Sequence, residues 1–151
     1  MKNLSFILVA LTLSVTTVFT TSCAKEKGCT DVDAKNYSTT AEENDGSCTY
    51  EGRIVFWYDL TASTGLVNDG ATSLTFYVDG QVAGSCATSV YWAGTSSPDC
   101  GQDGSVTVTK DLGILKSKSY SYSVEDQTGY EYWGGNLSFT ANTCTATELV
   151  W

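Results

Sequence analysis

Histidine is absent from the 151 residues of the chain, proline occurs once, and only 8 basic residues accompany 17 acidic ones. Without an imidazole there is no histidine base to activate a serine or cysteine nucleophile, and no histidine ligand for zinc. The formal net charge of −9 argues against nucleic acid as a partner, because phosphate backbones are bound by basic surfaces. These absences exclude the commonest catalytic constellations and the nucleic-acid-binding classes.

Glycine-rich loops that bind phosphates, of the GxGxxG and GxxxxGK types, are also absent. Catalysis by a pair of carboxylates remains open, since glycoside hydrolysis needs only two acids. The candidate acids are Asp99, Asp103, Glu125, Asp126 and Glu131. None of them stands in a recognisable motif, so a small secreted hydrolase is the least favoured of three function classes.

Residues 1–22 have the pattern of an export signal, with a short positive start and a mostly apolar stretch over residues 4–19. The stretch is too short and too rich in serine and threonine for a membrane span. It ends in a small residue followed by Cys23, which resembles the lipobox of bacterial lipoproteins. The resemblance implies cleavage before Cys23, acylation of Cys23 and membrane attachment through lipid, with residues 23–27 as a linker. The alternative is a secreted protein in which Cys23 is a disulfide partner.

The residues around the cleavage position bear on localisation. Ala24 is not the aspartate that resembles an inner-membrane retention signal, which favours the outer membrane. Loss of Lys2 with the signal leaves 7 basic and 17 acidic residues, a net charge of −10. Anionic headgroups repel such a chain, so its membrane attachment depends on the lipid.

Six cysteines in an exported chain are expected to pair, because the compartment is oxidising. With Cys23 acylated, five remain, and one thiol stays free or pairs with another chain. Cys29 and Cys48 bracket a polar segment with almost no apolar residues to build a core. We therefore expect a disulfide between them, which contributes about 3 kcal/mol in the chain-entropy model.

Residues 28–50 read GCTDVDAKNYSTTAEENDGSCTY and fit the pattern GCTDxxAxNYxxxAxxxDGSCxY. This pattern resembles a cysteine-bracketed repeat of secreted and surface proteins of Bacteroidota. Val32 stands where the repeat usually has proline, and Asn44 where it usually has an acid. The resemblance implies an extracytoplasmic accessory or spacer module and carries no catalytic role.

The same segment contains a candidate calcium site. Asp31, Asp33, Asn36 and Asp45 are hard oxygen donors within one closed loop, and such donors suit Ca²⁺. The EF-hand pattern is not met, because aligning its glycine with Gly46 puts alanine at the first ligand position. The favoured alternative is that Asp31 and Asp45 cap turns through the neighbouring backbone.

Residues 51–151 are predicted to form an all-β domain, because alternation with a period of two recurs and helical patterns are nearly absent. The alternating runs comprise residues 54–61, 74–79, 82–92, 106–109, 119–124, 137–139 and 143–151. Asp79 and Gly80 form a hairpin signal, since both tolerate positive φ. About seven strands in about 100 residues favour an antiparallel, immunoglobulin-like β-sandwich, with a small closed barrel as the alternative.

This second half also resembles the small β-domains that follow the cysteine repeat in Bacteroidota lipoproteins. The likeness rests on the Cys100–Gly101 pair, the strand at residues 106–109, the run at residues 119–124, Trp133, and an ending with Asn142, Cys144 and Leu149. It implies a disulfide between Cys100 and Cys144, which leaves Cys86 as the odd thiol. The competing scheme pairs Cys86 with Cys100.

Aromatic side chains are the feature of this domain that favours a ligand. If Phe56 faces the core, then Trp57 points outward, and Tyr77 does so by the same alternation. Exposed rings beside a carboxylate such as Asp59 suit a sugar-binding surface. The favoured alternative is cross-strand packing of these aromatics. Trp133 and Trp151, with Trp92, are assigned mainly to packing.

Three function classes follow. The first is a non-catalytic structural or interaction lipoprotein at the outer membrane, whose partner is an envelope protein. The second is a carbohydrate-binding accessory lipoprotein that uses Trp57, Tyr77 and Asp59 on a polysaccharide. The third is the hydrolase. None of the three needs a cofactor other than calcium at the candidate site.

Overall fold

The structure, a computed structural model, describes residues 24–151. The predicted signal peptide and the acylation site at Cys23 lie outside the described residues, so both stay predictions. Among residues 24–151, no helix is long and apolar enough to cross a membrane.

Nine strands and one helix make up the described chain. The strands are β1 (Lys27–Gly28), β2 (Glu43–Asn44), β3 (Tyr50–Trp57), β4 (Ser73–Val78), β5 (Gln81–Ala87), β6 (Val106–Gly113), β7 (Ser117–Asp126), β8 (Glu131–Thr140) and β9 (Cys144–Glu148). The helix, α1 (Leu60–Asn68), lies between β3 and β4. Strands β1 and β2 pair with each other inside the cysteine-bracketed repeat.

The seven strands β3 to β9 form two sheets. The smaller sheet has the order β6-β3-β9 and the larger sheet the order β5-β4-β7-β8. The strand pairs are antiparallel except for β3 and β9, which run parallel. One core cluster draws buried side chains from both sheets, among them Phe56, Phe76 and Phe139. The prediction of an all-β sandwich with about seven strands is confirmed.

The strand order departs from that of an immunoglobulin constant domain, which is A-B-E-D in one sheet and C-F-G in the other. Here the first strand of the sandwich, β3, is central in the smaller sheet, between β6 and β9. The second strand, β4, lies in the opposite sheet. The immunoglobulin-like description therefore holds for the two-sheet architecture and not for the connections.

Helix α1 corrects the sequence prediction, in which the first strand continues to Thr61 and helical patterns are nearly absent. Asp59 caps the helix, since its carboxylate accepts a hydrogen bond from the Ala62 backbone N–H at 2.9 Å. Only Ala62, Ser63 and Leu66 are buried along its nine residues. Two of these three are small, so the buried stripe gives almost no hydrophobic signal in the sequence.

The hairpin signal at Asp79 and Gly80 is confirmed. These residues have φ of 59° and 69° and connect β4 to β5. The next predicted strand ends early, at Ala87. An irregular segment of residues 88–105 follows, which we call the covering segment.

This segment is attached across the outer face of the smaller sheet. The Cys100–Cys144 disulfide holds it to β9, and the Gly101 N–H donates to Thr107 Oγ1 on β6 at 2.7 Å. Val55 points to the same outer face of β3 and is fully buried, as expected beneath a covering segment.

The repeat is packed directly onto the sandwich. Cys29, Ala34 and Cys48 belong to the same core cluster as Tyr50 and Leu112. The Lys35 ammonium also lies 3.5 Å from a carboxylate oxygen of Glu51 in β3. The predicted boundary between residues 50 and 51 therefore marks a change in composition, and the core runs across it.

Candidate functional site

Asp31 and Asp33 of the repeat contact a lysine from the other side of the repeat–sandwich junction. The Lys116 ammonium lies 2.6 Å from Asp31 Oδ2 and 3.3 Å from Asp33 Oδ2, and the Tyr50 hydroxyl donates to Asp31 Oδ2 at 2.8 Å. Hydrogen bonds from Lys116 and then Tyr50 lower the pKa of Asp31, and the hydrogen bond to Asp31 raises the pKa of Lys116. Lys116 thus supplies the positive charge that these two carboxylates need.

The other two candidate calcium ligands stabilise turns. Asn36 donates to the Ser47 carbonyl and accepts from the Thr49 N–H, both at 2.8 Å. Asp45 accepts from the Ser47 N–H at 2.9 Å, and its hydrogen bonds to Ser47 lower its pKa. Within the described residues, the acidic side chains of the repeat do not form a metal-binding group. The geometry favours the turn interpretation over the calcium site.

The ion pairs of Lys116 predict a specific acid sensitivity. The pKa of Asp31 is lowered in the folded state, so its contribution to stability is present above the unfolded value near 3.8 and is lost as the pH falls through the lower folded value. Lys116→Met removes the cation, which brings the pKa of Asp31 back up. The folded and unfolded pKa values of Asp31 then lie closer together, so this group adds a smaller pH-dependent contribution. We expect Lys116→Met to be less stable than the unmodified chain at neutral pH and to lose less stability in acid, so that the two thermal unfolding curves, measured between pH 2.5 and 7, converge at low pH.

Lys118→Met is the matched control, because Lys118 is an exposed lysine of the same region whose ammonium lies 4.8 Å over the Tyr120 ring. The stability of this variant should decrease at low pH in the same way as that of the unmodified chain. The same loss of stability at low pH in both lysine variants would contradict the role assigned to Lys116.

Both disulfides expected for the chain are present, Cys29 with Cys48 and Cys100 with Cys144. Cys86 is the free cysteine of the described chain. Its sulfur lies 3.4 Å from the Tyr58 hydroxyl, and burial raises the pKa of the thiol. A shielded, protonated thiol is a poor nucleophile, so the geometry gives no support to pairing with a second chain.

The three residues predicted to bind glycans do not share a surface. Trp57 lies on the outer side of β3 in the smaller sheet, whereas Tyr77 lies on β4 in the larger sheet. The outer faces of a sandwich point in opposite directions, and Asp59 is the N-cap of α1. The prediction of one surface formed by these residues is therefore wrong, because alternation assigns each residue to a face without specifying the sheet.

Tyr77 lines a shallow groove of about 420 Å³ on the outer face of the larger sheet. The groove is open to solvent, and its other lining residues are Gly80, Ser121, Tyr122, Ser123, Glu125 and Glu131. Tyr77 is half-buried. The groove is therefore lined by two serines, two glutamates and two tyrosines, Tyr77 and Tyr122.

A second aromatic group, which sequence reasoning assigned mainly to packing or did not consider, lies at one end of the sandwich. We call Tyr130, Tyr132, Trp133 and Trp151 the distal aromatic cluster. The Tyr132 ring centroid lies 5.0 Å from that of Tyr130, 5.7 Å from that of Trp133 and 5.9 Å from that of Trp151. Tyr130 remains 62% exposed and Trp151 54% exposed, so these two rings present much of their surface to solvent.

Backbone and side-chain contacts fix the orientation of the distal aromatic cluster. Trp133 donates its indole N–H to the Val150 carbonyl at 2.9 Å, and the Trp151 ring lies so close over Gly65 of α1 that a β-carbon there would overlap it. The Tyr132 hydroxyl donates to Asp69 Oδ2 at 2.8 Å. Desolvation and this hydrogen bond raise the pKa of Tyr132 to about 12. The cluster is thus held by α1, the β7–β8 hairpin and the last residues of the chain.

The five candidate catalytic acids are dispersed. Glu125 and Glu131 line the groove, whereas Asp99 and Asp103 are exposed on the covering segment. Asp126 closes the β7–β8 turn by accepting from the N–H groups of Thr128 and Tyr130, and its hydrogen bonds, chiefly with Thr128, lower its pKa.

Comparison of the chain with protein-family models, curated proteins and solved structures found no match.

Proposed function

We propose that the protein is a lipid-anchored, non-catalytic structural or interaction module of the bacterial outer membrane. Two disulfides indicate an oxidising, extracytoplasmic environment. The resemblance of residues 28–50 to a repeat of Bacteroidota surface proteins and the lipobox-like ending at Cys23 support export and anchoring. The anchor itself is part of the proposal.

The observation that carries the proposal is the rigid junction between the repeat and the sandwich. Strand β1 begins at Lys27, four residues after Cys23, and at about 3.5 Å per residue this linker spans at most about 14 Å. The repeat is stapled by Cys29–Cys48, shares the sandwich core and is joined to it by Lys116. An acylated Cys23 would therefore hold the repeat end of the body close to the membrane.

The strand directions place the distal aromatic cluster at the opposite end. Strand β3 starts beside the repeat at Tyr50 and ends at Trp57, a rise of about 23 Å at 3.3 Å per residue. The Trp57 carbonyl accepts from the Leu149 N–H, directly before the C-terminal residues that contact Trp133 and α1. In this orientation the cluster faces away from the lipid.

The basic residues are confined to one end of the molecule, whereas acidic residues lie at both ends. Every basic residue of the described chain lies in the repeat, in the linker, or in the parts of β3, β6, β7 and the β6–β7 turn that adjoin it; these are Lys25, Lys27, Lys35, Arg53, Lys110, Lys116 and Lys118. The acids near the distal aromatic cluster are Asp59, Asp69, Asp126, Glu131 and Glu148. The end that would face away from the membrane is therefore acidic and aromatic.

The electrostatics of four aspartates supports structural roles for these side chains. Glycoside hydrolysis needs one carboxyl group whose pKa is raised so that it acts as an acid. The Asp side chains whose pKa departs from its usual value are Asp31, Asp45, Asp59 and Asp126, and in all four the pKa is lowered by hydrogen bonds. Turn caps and the Lys116 pair keep these carboxylates ionised.

Membrane fractionation of cells that express the full-length chain tests the anchor. The chain should appear in the outer-membrane fraction with a lipid-modified mass, and Cys23→Ala should move it to the soluble fraction. Several acyl chains at about 0.8 kcal/mol per buried methylene make the attachment stable. The basic residues at the repeat end do not replace them, because acids such as Glu26, Glu42 and Glu43 lie among them.

Cys86→Ala is the matched cysteine control and should stay with the membrane, because this thiol lies inside the sandwich. If Cys23→Ala remained with the outer membrane, the lipid-anchored role would have to be abandoned.

A further inference from the structure

We propose that the distal aromatic cluster is a binding platform for a neutral saccharide chain, with Tyr130 and Trp151 as the stacking rings and Asp69 as a hydroxyl acceptor. This deepens the proposed interaction module by naming the ligand class of its membrane-distal end. It rests on the lipid anchor only for the direction in which the platform faces.

The rings of the platform are exposed and preorganised. Tyr130 and Trp151 both contact the Tyr132 ring, at centroid distances of 5.0 and 5.9 Å, so two largely exposed rings are held in one group by a third. Trp151 is fixed against Gly65, and Tyr132 is fixed by Asp69. Because the rings are already ordered, a ligand that stacks on them loses little additional side-chain entropy on binding.

The polar groups at the platform match a polyol. Asp69 uses Oδ2 to accept from Tyr132, and within the described chain its Oδ1 makes no hydrogen bond to another side chain, so it is available to a hydroxyl. Tyr130 adds a second hydroxyl on an exposed side chain of the cluster. Sugar rings have apolar C–H faces for stacking and hydroxyl edges for these acceptors.

Charge and size favour a neutral sugar over other ligands. No basic residue of residues 24–151 lies at this end, and the surrounding acids repel phosphates, uronic acids and anionic lipids. The exposed parts of two rings amount to on the order of 200 Å², from the 150–250 Å² that an aromatic side chain presents. A stable protein interface needs about 800 Å² on each partner, so the platform suits a few sugar units better.

Affinity electrophoresis of residues 24–151, which hold the whole core and both disulfides, tests the platform. The native gels contain mixed-linkage β-glucan, xylan, galactomannan or amylopectin, with polygalacturonate as the anionic comparison. We expect retardation by at least one neutral polymer, and Trp151→Ala or Tyr130→Ala should weaken it by about tenfold. Trp151→Phe retains a ring and should keep part of the affinity.

Two tyrosine variants act as controls. Tyr37→Ala removes an exposed tyrosine of the repeat and should leave the retardation unchanged. Tyr77→Ala, in the groove of the larger sheet, should also leave it unchanged, and a selective loss there would assign binding to the groove and overturn the platform. Thermal unfolding of each variant separates loss of binding from loss of folding.

Other outcomes would also overturn the proposal. These are absence of retardation by every neutral polymer, retardation by polygalacturonate alone, and Trp151-dependent binding to phosphatidylcholine vesicles or to a second copy in sedimentation. The proposed non-catalytic role is tested separately. Release of reducing sugar from the same polymers would identify an enzyme, whether or not the platform binds them. Cell fractionation of Cys23→Ala likewise tests the anchor independently of saccharide binding.

Discussion

Replacing Cys100 and Cys144 together by serine is expected to lower the free energy of unfolding by about 4 kcal/mol, the chain-entropy value for a closed loop of this length. The two residues are 44 positions apart, and their bond holds the covering segment of residues 88–105 to the last strand. Without it, the segment should lift from the smaller sheet and expose Val55, which is now fully buried. Urea unfolding followed by tryptophan fluorescence measures the loss.

Two further cysteine variants make this prediction specific. The Cys29–Cys48 disulfide joins residues 19 positions apart and closes a shorter loop. Replacing both cysteines by serine should therefore lower the free energy of unfolding by about 3 kcal/mol, and hydrogen exchange should rise in the repeat. Exchange in residues 88–105 should rise only in the Cys100 and Cys144 variant. A stability loss no larger than that of Cys86→Ser would contradict the structural role of the Cys100–Cys144 bond.

Local signals explain which parts of the fold could be predicted. Asp79 and Gly80 adopt the positive φ that their hairpin requires, and this preference belongs to the residues themselves. Alternation along β3 and β4 likewise reflects one buried face, with Phe56 and Phe76 inward. The number of strands and the two-sheet architecture follow from such signals.

The connections and the site depend on distant residues. Lys116 and Asp31 are separated by 85 positions in the sequence, and the pattern around Asp31 gives no indication that an ammonium group lies beside it. Tyr132 and Asp69 are 63 positions apart, and Trp151 reaches the cluster only because β9 runs parallel to β3 and ends beside α1. Sequence alternation could therefore identify exposed aromatics in general, but it selected Trp57 and Tyr77 and missed the distal aromatic cluster.

Helix α1 shows the same limitation at short range. The alternation of β3 extends smoothly into Asp59, the cap, and so predicts a carboxylate beside an exposed tryptophan. Helix capping competes with strand extension at this position. Asp59 accepts a hydrogen bond from the Ala62 N–H, and the chain turns into the helix instead of continuing the strand. The helix in turn supplies Gly65 and Asp69, on which the distal aromatic cluster depends.

Phe56→Ala is expected to lower the free energy of unfolding by about 3–5 kcal/mol, a loss similar in size to that of the Cys100 and Cys144 variant. Phe56 is buried in β3, and its ring centroid lies 5.4 Å from those of Phe76 and Tyr122 in the opposite sheet. Truncation leaves a cavity between the two sheets, where close-packed neighbours cannot fully relax. Chemical denaturation of the variant at neutral pH measures the loss.

Trp57→Ala is the matched control, because Trp57 follows Phe56 directly and points to the opposite face of the same strand. Its half-buried ring should contribute less to stability than the Phe56 ring, although its side chain is larger. Equal losses at the two positions would contradict the assignment of faces along β3. The comparison also bears on function, since Trp57→Ala should leave saccharide binding intact while Trp151→Ala, at the end of the sandwich, weakens it.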